Sequence, residues 1–275
     1  MKKYSGYFLI TDKQELSPSV HKLTIKADEI SAEASPGQFV QIRASESYFP
    51  FWPRPFSIHD TDLNAGEFSI IFKVFGCGTS LLATKSAGQK IHVFGPLGNS
   101  FPPPSENDKS IFVAGGVGLP PLHFLAKKSI ANGINPQSII FIAGARTKND
   151  FFEQENLSGL GVKLLMTTDD GSLGAAGTAT DIFVEILKEE ENPCVYSCGP
   201  TAMLSKVDSI LKLAKKRGFL SLEALMPCGY GICSGCAVKT YPPADVGPTD
   251  DRRNFRLKRV CCDGPVFNSG EVIWD

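Results

Sequence analysis

Cys228, Cys233 and Cys236 share one glycine-rich loop, Pro227-Cys228-Gly229-Tyr230-Gly231-Ile232-Cys233-Ser234-Gly235-Cys236, and Cys261 and Cys262 follow downstream. A C-x4-C-x2-C spacing with a remote fourth cysteine is the plant-type 2Fe-2S pattern. No other stretch constrains the fold as tightly. A loop wrapped around a cluster needs left-handed backbone and N–H groups aimed at sulfur, and Gly229, Gly231 and Gly235 can supply both. Structural zinc is the competing use, but it ordinarily takes two close cysteine pairs, whereas here three thiols sit on one loop. On spacing alone the fourth ligand is Cys261 or Cys262. Cys77, Cys194 and Cys198 stand singly, and a lone cysteine is by default a small buried apolar residue.

The stretch Tyr7–Ile10 runs into Thr11, Asp12 and Lys13, too short for a secretory apolar core, and no run reaches transmembrane length. A cytoplasmic chain is expected, so its eight cysteines are not read as disulfides. With 28 basic against 29 acidic residues, no electrostatic footprint points to nucleic acid or to an anionic membrane surface. Proteins and small molecules are the expected partners. The four histidines, His21, His59, His92 and His123, match no metal spacing and are assigned no role.

A chain of 275 residues has room for two packed cores and an appendage. Over residues 1–103, short β-rich runs at Lys22–Lys26, Phe39–Arg43, Phe68–Val74 and Lys90–Phe94 predict a small antiparallel barrel. Pro102 to Asp108 reads as an exposed linker. Over 108–220, apolar runs at Ser110–Ala114, Ser138–Ala143, Lys163–Thr168 and Cys194–Ser197 alternate with helical patterns, which predicts a parallel sheet with helices on both faces. A helix from about Ala202 is expected to bury Met203, Val207, Ile210, Leu211 and Ala214 and to be capped by Gly218. Residues 221–275 read as a third, small cysteine module.

Two further stretches carry chemistry in the barrel. Gly76-Cys77-Gly78-Thr79-Ser80 opens a short helix and can present N–H groups to a pyrophosphate, with Arg54 of Arg54-Pro55-Phe56-Ser57 as counter-charge. In the next domain, Gly115-Gly116-Val117-Gly118-Leu119-Pro120 follows a strand and starts a helix, a variant dinucleotide-binding turn without the usual third glycine. Cys198-Gly199-Pro200-Thr201 again stands at a strand's C-terminal end, where open α/β sheets bind ligands.

Taken in order, Arg54-Pro55-Phe56-Ser57, Gly76-Cys77-Gly78-Thr79, Gly95-Pro96-Leu97-Gly98, Gly116-Val117-Gly118-Leu119-Pro120 and Cys198-Gly199-Pro200 resemble the ferredoxin-NADP reductase superfamily. With the cysteine loop placed after these segments and an ending Cys261-Cys262-Asp263-Gly264-Pro265-Val266-Phe267, the chain resembles the electron-transfer subunits of class 1B dihydroorotate dehydrogenases. That resemblance implies an FAD domain, an NAD domain and a 2Fe-2S module. FAD would be held by Arg54, Pro55, Phe56, Ser57, Ile71, Phe72, Lys73, Gly78 and Thr79. NAD would lie over Gly115, Gly116, Gly118, Pro120, Cys198, Gly199 and Pro200. The cluster ligands would be Cys228, Cys233, Cys236 and Cys261, since the family's fourth ligand stands two residues before the Asp. Ser57 is implied near the reactive flavin nitrogen and Cys198 against the nicotinamide, these two being the expected catalytic residues.

The implied partner is an FMN-containing catalytic dihydroorotate dehydrogenase subunit, two of each forming a heterotetramer in pyrimidine biosynthesis. Asp150 offers an acid for a ribose, while Arg146 and Lys148 suit a 2′-phosphate; the reading adopted is NAD. Within the same fold the rival is the small subunit of an NADH-dependent ferredoxin:NADP reductase or of a sulfhydrogenase-type reductase. From another class, the rival is a non-enzymatic zinc-binding module. The stretch between Cys236 and Cys261, with Tyr241-Pro242-Pro243 and the charged run Asp250 to Arg253, is longer than the family leads one to expect.

Overall fold

The computed structural model describes residues 2–106, 108–242 and 255–274. Its first half closes six strands into an antiparallel barrel: β1 (Tyr4–Ser17), β2 (Val20–Lys26), β3 (Phe39–Arg43), β4 (Arg54–Asp62), β5 (Glu67–Lys73) and β6 (Lys90–Leu97), in the order β1-β2-β5-β4-β3-β6. Two short helices, α1 (Asp28–Glu33) and α2 (Cys77–Ala83), fill its connections. Alternation fixes the interior: Leu23 and Ile25 of β2, Val40 and Ile42 of β3, and Phe68 and Ile70 of β5 are buried on the inner face. β1 is longer than the apolar run Tyr7–Ile10 suggests. A bulge between Ile10 and Asp12 lets the polar continuation stay paired with β2 while Ile10 remains inside. Arg54-Pro55-Phe56-Ser57 is the beginning of β4, where a proline without an N–H is tolerated.

The second half is a seven-stranded sheet built from β7 (Ser110–Gly115), β8 (Ile139–Ala145), β9 (Lys163–Thr168), β10 (Ala175–Ala176), β11 (Cys194–Cys198), β12 (Gly218–Ser221) and, near the C-terminus, β15 (Val266–Asn268), ordered β10-β9-β8-β7-β11-β12-β15. All neighbours are parallel except β12 and β15. The helices are α3 (Leu119–Ala131), α4 (Gln154–Gly159), α5 (Ala179–Glu189) and α6 (Thr201–Ala214). β7 is buried throughout because both faces are covered. Ile111 and Val113 pack with α5 and α6 side chains such as Phe183 and Val207. Phe112 and Ala114 pack with Leu122 and Leu125 of α3 and Leu157 of α4. The chain order reverses between β7 and β11, so the crevice outside their C-terminal ends is the ligand-binding position of such a sheet.

Several sequence expectations are corrected here. α6 buries Leu204, Val207, Asp208 and Leu211, and it ends on Lys215 in left-handed conformation (φ 52°), not on Gly218. Gly218 instead opens β12, where a Cβ would stand 2.5 Å from Leu211 Cδ1. Pro104, in the expected exposed linker, is buried. The C-terminal stretch packs onto both halves of the chain. It contributes a two-stranded ribbon, β13 (Ala237–Thr240) with β14 (Arg256–Arg259), and then returns β15 to the edge of the main sheet.

Buried polar groups hold that return. Asp208 accepts from Ser269 Oγ (2.7 Å), Gly270 N (2.7 Å) and Trp274 Nε1 (2.8 Å). From the barrel, Asn99 donates to Val266 O at 2.8 Å and accepts from Val266 N at 2.9 Å. Gly98, with φ 75°, lets this clasp close, since a Cβ there would meet Pro265 Cδ at 2.5 Å. Pro243 and the charged run Asp250 to Arg253 lie outside the described residues.

Candidate functional site

A cavity of 530 Å³ opens where the barrel, the sheet and the cysteine segment meet. The barrel supplies Pro55, Phe56 and Ser57 from β4 and Ile71, Phe72 and Lys73 from β5; the crevice of the sheet supplies Gly115, Gly116, Cys198, Gly199 and Pro200. Met226 and Pro265, on either side of the cysteine loop in sequence, complete the wall. The fold thus brings the sequence motifs of all three segments to one largely apolar space, the usual character of a cofactor site.

A second cavity of 310 Å³ shares Lys73, Gly115, Gly116 and Pro200 with the first and continues to Arg146, Asp150 and Asp169. Asp150 is engaged here: Lys73 Nζ lies 2.6 Å from its Oδ1, and Thr147 Oγ1 is 3.1 Å from Oδ2. The Lys73 hydrogen bond holds the carboxyl below the ordinary range despite partial burial.

Other expected site residues stand outside both cavity walls. The Thr79 hydroxyl accepts from Phe75 N (2.9 Å) and Gly76 N (3.1 Å), building the turn ahead of α2. Gly78 is the place where Arg54 crosses that turn, since a Cβ would stand 2.9 Å from Arg54 Nε. A guanidinium laid over helix-terminal N–H groups at the rim fits a pyrophosphate. Gly118 and Pro120 are packing residues of α3: a Cβ on Gly118 would lie 2.1 Å from Cys198 O, and Pro120 is buried.

Cys198 is buried at the wall, and burial, with Glu223 beside it, pushes its thiol well up, against a hydrogen bond from Ser221. It is a neutral thiol in contact with the space, not a nucleophile. Glu223 lines the same cavity and was not anticipated from the sequence. Burial of the carboxyl shifts its pKa upward, although the residue as a whole is exposed.

The cysteine loop is seated by contacts with its surroundings. Gln41 of β3 donates to Met226 O at 2.9 Å, and a Cβ on Gly229 would meet Gln41 Cγ at 2.5 Å. Tyr230 sets its ring edge to Phe94 at 5.6 Å, and Arg259 Nη1 donates to Gly231 O at 2.8 Å. Cys228 is partly buried, which raises its thiol, but N–H groups of Cys233, Tyr230 and Ile232 directed at sulfur outweigh this and bring it down to about 6. A loop that prepays thiolate charge with backbone donors is suited to an iron-sulfur cluster, whose ligands are thiolates.

Cys261 is buried, its N–H 3.5 Å from Cys236 Sγ, while its own Sγ is 3.6 Å from Cys262 Sγ. Cys262 lies against Gly231, where a Cβ on that glycine would meet its Sγ at 2.5 Å. Asp263 accepts from Arg259 N at 2.7 Å and so fixes the turn that delivers both cysteines. Gln41, Arg259 and Asn99 carry no recognisable motif, and spacing alone cannot reveal residues that act by clasping a distant loop.

Residues 223–273 match the family model described as the iron-sulfur cluster binding domain of dihydroorotate dehydrogenase B. Among curated proteins, the dihydroorotate dehydrogenase B (NAD(+)) electron transfer subunit of Lysinibacillus sphaericus (strain C3-41) is 36% identical over 265 residues, 96% of each chain. The protein of the same name from Bacillus cereus (strain G9842) is 33% identical over 267 residues, 96% of this chain and 97% of the relative. Among solved structures, that of an NADH-dependent reduced ferredoxin-NADP oxidoreductase aligns with a TM-score of 0.83 at 30% identity, over 98% of this chain and 90% of the other. The ferredoxin-NADP+ reductase of Plasmodium falciparum shares the fold, with a TM-score of 0.60 at 19% identity over 75% of this chain and 90% of the other.

Proposed function

The chain belongs to the family of dihydroorotate dehydrogenase B (NAD(+)) electron transfer subunits, and from this premise we propose how its residues divide the task. It is an oxidoreductase subunit of pyrimidine biosynthesis, using FAD, a 2Fe-2S cluster and NAD, and it works with a catalytic dihydroorotate dehydrogenase subunit. FAD and the cluster, when bound, supply the exchange between hydride chemistry and one-electron transfer, and the protein supplies position and electrostatics.

One observation carries the division of roles: a single cavity has the barrel motif, the sheet's crevice and the cysteine segment as its walls. Pro55, Phe56, Ser57, Ile71, Phe72 and Lys73 form the flavin wall, with Arg54 and the Gly78-Thr79 turn at the rim for the pyrophosphate. Gly115, Gly116, Gly199 and Pro200 form the nicotinamide wall, and Gly118 and Pro120 keep it in place. Cys198 and Ser57 face each other across the reaction space as the two catalytic residues, Ser57 as a hydrogen-bonding group and Cys198 as a neutral steric partner. Cys228, Cys233, Cys236 and Cys261 would hold the cluster, on the segment that runs on from Met226 of the cavity wall.

The assembly is a heterotetramer with two FMN-containing catalytic subunits, in the cytoplasm. Among the described residues, no helix is long and apolar enough to cross a membrane. A second reading is favoured by the alignment with the NADH-dependent reduced ferredoxin-NADP oxidoreductase: the same electron path joined to a different large subunit. The protein that co-purifies with the chain separates the two.

Anaerobic titration of the purified holoprotein with NADH tests the path. Bleaching of both flavin and iron-sulfur absorption is expected within the first equivalents. A colourless protein containing zinc and no iron would overturn the reading in favour of a zinc module.

A further inference from the structure

The histidines left without a role are not all apart in the fold. His59 of β4 and His123 of α3 stack with ring centroids 4.5 Å apart and planes inclined by 16°. Glu153, in the turn ahead of α4, brings Oε2 to 3.5 Å from His59 Nε2. All three are buried at the junction of barrel and sheet. Around them, Ser69 Oγ of β5 is 3.0 Å from His59 Nδ1, Lys22 Nζ of β2 is 3.8 Å from Glu153 Oε1, and Asn156 Nδ2 of α4 donates to Glu153 Oε2 at 2.5 Å. Asp60 of β4, next in the chain to His59, is paired with Lys127 of α3.

One donor atom from each of His59, His123 and Glu153 lies within 4.8 Å of the others. The near-parallel rings, however, carry their in-plane lone pairs side by side, so these do not converge on one ion as a zinc site requires. The cluster is also costly as a piece of core. Among the described residues, His123 Nδ1 has no hydrogen-bond partner and His59 Nε2 has only the long approach of Glu153, and Glu153 adopts φ 64°, a region that side chains with a Cβ avoid. Burial and the neighbouring His59 bring the His123 pKa down to about 4, so its ring is neutral in the stack. His59, Asn156 and Lys22 hold the Glu153 carboxyl at about 2, although burial opposes them.

Each member lies close in sequence to the walls of the two cavities. β4 carries Ser57 two residues before His59, α3 follows the turn of Gly115 and Gly116 into His123, and Asp150 of the second cavity lies just ahead of Glu153. An apolar contact at this junction would let the domains slide, whereas a polar one, with His59 facing Glu153 and His123 stacked on His59, holds at a single geometry. We propose that His59, His123 and Glu153 are positioning residues, a buried polar strut that sets the angle at which the flavin wall and the nicotinamide wall of the cavity face each other. The proposal rests on the reading of that cavity as the meeting place of nicotinamide and flavin.

The test is the double variant His59→Leu/Glu153→Gln in the holoprotein, which removes the strut and leaves no charge buried. Because the carboxylate and the histidine facing it are removed together, no partner is left behind in the core, and FAD content, iron content and melting temperature should hold. The single-turnover rate of flavin reduction at saturating NADH should fall about tenfold, as for a small misplacement of reacting groups, with the NADH Kd changed less than about twofold. An unchanged rate overturns the proposal. So does a fall explained by FAD loss, or stoichiometric zinc in the wild type that disappears from the variant. Hydrogen exchange reads the strut without NADH: amides of β4 and α4 should both lose protection, and unchanged β4 amides overturn the proposal. Wild-type protein that fails to reduce its flavin with NADH refutes the cavity reading instead, and exchange then decides the strut alone.

Discussion

Cys261→Ser is expected to yield a yellow protein that keeps FAD and its reduction by NADH but loses iron, labile sulfide and at least a hundredfold of its rate of electron exchange with the catalytic subunit. Cys262→Ser is expected to keep all of these. Sequence spacing does not separate the two cysteines; their surroundings do. Cys261 is buried against Cys236, with its N–H on the Cys236 sulfur. Without a cluster its thiol is pushed well up by burial and by the Cys236 and Cys262 thiols beside it, a cost that coordination as thiolate to iron would remove. Cys262 faces Gly231 and the Arg259 side of the loop. A serine hydroxyl matches the thiol's shape yet ligates iron poorly, so the two variants compare ligation with little change in packing. Iron analysis and the visible spectrum of both variants, side by side, decide the matter. Cluster loss in Cys262→Ser with retention in Cys261→Ser would reverse the assignment, and retention in both would mean that either residue can serve.

The sequence was most legible where chemistry forces a residue type into a fixed local spacing. The cysteine loop, the turn after β7 and the turn after β11 were readable because glycine and cysteine there answer to backbone geometry and ligation, both local. Lys163–Thr168 and Phe39–Arg43 were readable because alternation or a short apolar run bounded by turns leaves few choices. What stayed hidden was long-range. Nothing near Gln41 announces that its amide will hold Met226 O, and nothing near Asp208 announces three donors from the C-terminal segment. Gly218 fits a helix cap by pattern, but β12 needs it against Leu211, and tertiary packing overrode the local preference. His59 and His123 lie far apart in sequence and matched no metal spacing; only the docking of α3 on β4 puts them in contact.

Gly118→Ala should be the most damaging single-methyl change in the nucleotide half. The added Cβ would lie 2.1 Å from Cys198 O, 2.3 Å from Cys198 C and 2.5 Å from Gly199 N. All three are backbone atoms at the end of a central strand, so no rotamer change relieves the clash, and α3 or the Cys198-Gly199-Pro200 turn must move. Overpacking of this kind costs roughly 3 kcal/mol, equivalent to a fall in melting temperature of about 6 °C or more. Because the displaced atoms belong to the wall proposed for the nicotinamide, flavin reduction by NADH should slow about a hundredfold even in the folded fraction. Gly116→Ala is the matched control. Its Cβ meets nothing within 4 Å, and the residue's φ of 51° brings only the strain of left-handed backbone, about 1–2 kcal/mol. That variant should fold and keep its cluster and FAD, with weaker NADH binding where the methyl enters the shared wall of the two cavities. Thermal melts and stopped-flow flavin reduction on the pair separate the two effects. If Gly118→Ala melts within about 1 °C of the wild type, α3 does not press on the Cys198 turn, and the role given to Gly118 as the residue that lets the nucleotide turn meet that strand end is wrong.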